Sequence, residues 1–228
     1  ARALGLRLGP VRARALERSG RAAWAERRAA VDAALEVAVR TGSGLVTLDL
    51  PLPTPEAERE TWRVAALACL RDASARCAAA EVGLALEPLE AGPELDAWDG
   101  WGEAVQLARA AGPGRVGLVF DVERRQRVAG ALSAALAAGG EALAFVRLSD
   151  CPGRTEPGSG EVHFPHLLRR LDALRFDGLL ALDHGASLPG ATGAERVLER
   201  YRELERAAPL PWRGSPRSQP LGLGLDSV

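Results

Sequence analysis

Residues 116–148 read VGLVFDVERRQRVAGALSAALAAGGEALAFVRL, and the stretch holds a whole strand–helix–strand unit. The apolar run 116–120 ends on Asp121. A helix follows over 125–138, and a second apolar run, 143–148, carries Arg147 near its end. Neither run alternates apolar with polar residues, as expected of strands buried on both faces of a parallel sheet. The same pattern recurs outward in both directions. Apolar runs stand at 4–8, 44–50, 82–86 and 179–182, and helical stretches at 22–40, 55–80, 102–111, 165–174 and 193–207. Thr54 and Pro55 read as N-cap and first residue of the second of these helices. Strand–helix repetition calls for right-handed crossovers and an α/β fold, either a barrel or a doubly wound sheet.

Composition narrows the chemistry. The chain has 228 residues, 47% of them hydrophobic, and a net charge of -1. One domain over residues 1–208 and a disordered Pro/Gly/Ser-rich tail over 209–228 are expected. A net charge this close to zero and the lack of a basic run with aromatics argue against nucleic acid. No apolar stretch is long enough to span a bilayer, and no leader pattern stands at the start, so a cytoplasmic protein is expected. The three cysteines lack metal-ligand spacing and read as reduced thiols. There is no Lys, so Schiff-base aldolase chemistry, a pyridoxal-phosphate lysine and a standard P-loop are excluded.

Carboxylates end several of these runs. Glu87 follows 82–86, Asp121 follows 116–120 and Asp183 follows 179–182. In parallel α/β folds ligands bind at this edge. Three converging carboxylates repel unless a cation joins them. That cation is either a divalent metal with oxygen ligands or Arg147 itself. Taken singly, Asp121 and Asp183 are as readily helix N-caps, and Glu87 a loop acid before Pro88. His163 and His166 read better as a solvated first helical turn than as a metal pair, His184 as a residue that orients a ligand-binding group or faces the substrate or as an exposed loop histidine, and Trp98 and Trp101 as lining a mouth or covering the barrel end.

The run CPGRTEPGSGE at 151–161, then VHFP at 162–165 and FDG at 176–178, resembles hydroxypyruvate isomerase, a family of xylose-isomerase-like TIM barrels. LEP at 86–88 resembles that family's Glu-Pro strand end, and VFD at 119–121 its aspartate strand end. The resemblance implies interconversion of hydroxypyruvate and 2-hydroxy-3-oxopropanoate through an enediolate, assisted by magnesium or manganese. It implies Glu87 and Asp183 as the proton-transfer pair, and Glu87, Asp121 and Asp183 as metal ligands. Arg154 and Glu156 match the substrate-binding loop, with Arg147 beside them. The substrate is then a small hydroxy-oxo acid or a ketose. A metal-dependent epimerase or endonuclease on the same scaffold is a weaker alternative, and a homo-oligomer is left open.

The chain departs from the family pattern in four places. Asp183 replaces a glutamate, and a shift of roughly 1 Å in a catalytic group costs on the order of 10²-fold in rate. Arg147 stands for a metal-binding glutamine and, being a donor only, cannot ligate a metal. Arg124 stands for a histidine and Glu90 for an asparagine. These changes leave a second reading: a catalytically degenerate homologue, metal-free because Arg147 pairs with Glu87, Asp121 and Asp183. Against the family the first two strand–helix units are expected to be missing, which leaves six strands and open edges.

Overall fold

The computed structural model describes residues 9–13, 22–50, 59–88, 100–112 and 116–207. The expected tail at 209–228, the strand at 4–8, Thr54 and Pro55, Glu90 and Trp98 lie outside the described residues. The chain forms two compact units that divide between Val119 and Phe120.

The first unit is built from β1 (Val11–Ala13), α1 (Ala22–Thr41), β2 (Leu45–Leu50), α2 (Arg59–Ala79), β3 (Gly83–Pro88), α3 (Gly100–Ala111) and the start of β4 (Gly117–Asp121). β1 pairs parallel with β2, and β2 with β3, in a register that sets Asp49 beside Glu87. β3 pairs parallel with the first residues of β4, Ala85 beside Gly117. Leu45, Val46, Leu48, Leu84, Leu86 and Leu118 are buried, which explains why the runs show no alternation. Trp101 is buried in α3. The first described strand stands at 11–13, a stretch the sequence did not mark as a strand. Its charged centre hides it in the sequence, for Arg12 is neutralised by a distant partner, Asp49.

The second unit continues with α4 (Val122–Val128), α5 (Leu132–Gly139), β5 (Leu143–Leu148), α6 (Phe164–Ala173), β6 (Leu179–Leu182) and α7 (Gly190–Ala207). β5 and β6 pair parallel, Arg147 beside Ala181. The helix expected over 125–138 is two helices. Gly130 and Ala131 take left-handed backbone at φ 61° and 50°, and the Gly130 N–H returns to the Arg125 carbonyl. A left-handed residue after the last turn is the usual way a helix stops. β5 is buried throughout, whereas Leu179 and Leu182 of β6 are 39% and 50% exposed. Across both units the described residues hold six parallel strands alternating with helices. No described helix is long and apolar enough to cross a membrane.

Candidate functional site at the strand ends

In the first unit the strand ends carry Arg12, Asp49 and Glu87. The Arg12 guanidinium lies 2.8 Å from Asp49 Oδ1 and 3.7 Å from Glu87 Oε1. Glu87 is 1% exposed. Sequence reading found Glu87 but missed Asp49, which sits inside an apolar run, and Arg12, which sits among other arginines.

The second unit brings more of the expected residues together. Asp121 ends β4 and is buried. It N-caps α4, accepting the Arg124 N–H at 3.0 Å. Its other partner is Arg154, which donates through both terminal nitrogens to the two carboxylate oxygens. The same guanidinium reaches Glu123 Oε2 at 3.3 Å and Asp183 Oδ2 at 3.4 Å. Burial raises the Asp121 pKa above its ordinary value, against the Arg124 N–H and the charges of Arg154, Arg124 and Arg147. Arg147 lies over the Phe145 ring at 5.3 Å and meets Asp183 Oδ2 at 3.7 Å. Arg154 thus ties Asp121 to Asp183, and Arg147, the arginine the sequence had marked for these acids, also meets Asp183.

Arg154 is held by its loop. Asp150 follows β5 fully buried, and its carboxylate collects four backbone N–H groups. Cys151 donates at 2.8 Å, Gly158 at 2.8 Å, Gly160 at 2.8 Å and Val162 at 3.0 Å. The Asp150 N–H donates to the Thr155 carbonyl at 2.8 Å and closes the loop on itself. Arg154 sits at φ 53°, left-handed backbone that costs a non-glycine residue roughly 1–2 kcal/mol. Gly153 and Gly158 take the other positive φ angles of the turn.

The segment after β6 is clamped to this loop. The Gly185 N–H donates to the Arg154 carbonyl at 2.9 Å, and the Ser187 N–H to Glu156 Oε2 at 2.7 Å. The Ser187 hydroxyl donates to the other Glu156 oxygen. Glu156 is fully buried. Burial alone would raise its pKa, but the Ser187 hydroxyl, the backbone N–H groups of Glu156 and Ser187 and the charge of His184 together outweigh it and the pKa is lowered. Both Glu156 oxygens are thus engaged by the protein, although the sequence had marked Glu156 for substrate. His184 joins the clamp to α7 by a hydrogen bond with the Tyr201 hydroxyl. Its Nδ1 faces the Gly185 carbonyl at 2.8 Å, and since a carbonyl only accepts, Nδ1 carries the proton. His163 N-caps α6, accepting the His166 N–H at 3.2 Å. His166 Nε2 bonds the Ser133 hydroxyl at 2.9 Å. The two histidines form a helix start, not a paired metal site.

The family resemblance implies a divalent metal, and the side chains present do not fit one. Among the described residues no three His, Cys, Asp or Glu side chains gather as a group that could hold a metal ion. The acids of the second unit close instead on guanidinium nitrogens, which donate and never ligate. What the arrangement offers is a fixed cation among carboxylates, with the Asp183 side chain 51% exposed for a ligand to reach.

Comparison with known proteins agrees with this architecture. Among the curated proteins none matches the sequence. The fold is similar to that of an AP endonuclease of family 2 from Brucella melitensis, with a TM-score of 0.61 at 22% identity, over 73% of this chain and 64% of that one. It is similar to a 3-keto-D-glucoside 4-epimerase from E. coli, with a TM-score of 0.70 at 16% identity, over 90% and 81%. A D-psicose 3-epimerase from Clostridium cellulolyticum H10, solved with D-tagatose, gives 0.61 at 15% identity, over 83% and 69%. This chain thus spans less than two thirds of the endonuclease and more of the two epimerases. A family model described as xylose isomerase-like TIM barrel matches residues 3–204, and the chain belongs to that family.

Proposed function

We propose that this chain is an isomerase of the hydroxypyruvate type, moving a proton between adjacent carbons of a small hydroxy-oxo acid or ketose through an enediolate. One observation carries the reading. Arg154, from the loop on which the sequence resemblance rests, stands against Asp121 and Asp183 at the ends of β4 and β6. A carboxylate that takes and returns a proton must lie within hydrogen-bond reach of it, and Asp183 has an exposed side chain. The developing enediolate is anionic, and prearranged cations favour charge that appears in the transition state. Arg154 and Arg147 are the cations of the second unit that face Asp183. Glu87, at the end of β3, is the other acid–base group that the resemblance implies. A ketose substrate agrees with the D-tagatose bound to the psicose epimerase.

A second reading, a catalytically degenerate homologue that binds such a ligand, is favoured by a different feature of the same cluster. Both oxygens of Asp121 are engaged by Arg154. The deciding experiment follows hydroxypyruvate by proton NMR with the purified, folded chain, with and without magnesium or manganese. Turnover that drops by about 10²-fold or more in Asp183→Asn supports the isomerase. A folded, inert chain that still binds hydroxypyruvate supports the second reading. A folded chain that neither turns over nor binds it refutes both.

A further inference from the structure

We infer that the Arg154 guanidinium is the resident cation of the acid cluster in the second unit, so that this site works on its small ligand without a divalent metal ion. The charges balance. Asp121, Glu123 and Asp183 supply three negative groups. Arg154 faces all three, Arg147 faces Asp183, and Arg127 meets Glu123 at 3.1 Å. The geometry of Arg154 is that of a bridging ion. One terminal nitrogen serves Asp121 Oδ2 and Asp183 Oδ2, and the other serves Asp121 Oδ1 and Glu123 Oε2. A metal would collect oxygens from several carboxylates in the same way, but here the collecting point is covalently part of the chain.

The position is built and not incidental. Arg154 keeps a left-handed backbone at φ 53° because Asp150 ties the loop on one side and Gly185 and Ser187 tie it on the other. A guanidinium stays charged at every accessible pH, so the neutralisation is permanent. A divalent cation entering among these acids would meet Arg154 and Arg147 at repulsive range and would have to displace the first. The resemblance implies a glutamine oxygen at position 147. This chain has a second cation there, which acts in the same direction.

Manganese binding tests the inference, read by the electron-paramagnetic signal of free Mn²⁺ on the full chain. Its outcome does not depend on whether hydroxypyruvate is turned over. The wild-type chain is expected to take up no Mn²⁺ through this cluster. Arg154→Gln is expected to bind it at least about tenfold more tightly, and a further Asp121→Asn change to abolish that gain. Wild-type binding that Asp121→Asn removes overturns the inference. A folded Arg154→Gln chain with no gain overturns it as well, since the arginine would then not stand in a cation's place. Should Arg154→Gln fail to fold, Arg154→Met, which keeps the apolar stem and removes the charge, is expected to show the gain instead, and a folded Arg154→Met chain with no gain overturns the inference equally.

Discussion

Glu156 shows what a buried carboxylate does when its partners are fixed. Its two oxygens hold the Ser187 N–H and hydroxyl, and its pKa is lowered in the folded chain. A carboxylate with a lowered folded pKa adds stability that is complete above its unfolded value and is lost as pH falls through the folded value. The urea midpoint of the wild-type chain should therefore fall more steeply from about pH 5 to about pH 3 than that of Glu156→Gln. Parallel curves would mean that Ser187 does not hold the charge. At this scale the sequence told where Asp121, Asp183 and Arg154 stand, because strand ends and a distinctive loop announce themselves. It did not tell what they touch. Glu123 looks like any acid in a first helical turn, and only the fold brings the Arg154 side chain to it. The Cys69 and Cys77 thiols are buried. Both are free, and burial pushes their pKa up to about 11.

The element that decides the site is the loop between β5 and α6. It is compact because a single carboxylate, Asp150, organises four backbone N–H groups, and this leaves no room over Gly160. A Cβ there would lie 2.3 Å from the Cys151 carbonyl oxygen and 2.6 Å from Asp150 Oδ1. The carbonyl belongs to the backbone and cannot swing aside. Gly160→Ala is expected to cost about 1–3 kcal/mol in urea unfolding. Gly44→Ala, where a Cβ meets nothing within 4 Å, is the control and should change the midpoint little. Equal effects at the two positions would contradict the loop geometry. The strands and most helices were legible because their apolar runs are long and continuous. The division of α4 from α5 was not, since the Glu, Arg and Gln residues before Gly130 and the alanines and leucines after it are all good helix formers and favour one helix by propensity alone. The start of α4 at Val122 depends on Asp121 as its cap, which the sequence offered without choosing between cap and ligand.

At the scale of the whole molecule, arginine supplies all 29 strong cations against 30 carboxylates. Fixed forks therefore replace flexible ammonium groups throughout, as in the paired contacts of Arg63 with Glu103 at 2.7 and 2.8 Å. Membership in the xylose isomerase-like barrel family could be read from the strand–helix repeat and one loop. Which cation neutralises the acids could not, because Arg147 and Arg154 differ in reach only once the loop is folded. The central claim is that Arg154 is that cation, and a double-mutant cycle between Arg154 and Asp121 tests it most directly. Unfolding free energies of the wild-type chain, Arg154→Gln, Asp121→Asn and the double variant give the coupling. The account predicts a favourable coupling of about 0.5–3 kcal/mol that changes little with added magnesium. Additive single effects, or a coupling that vanishes when magnesium is present, would contradict it.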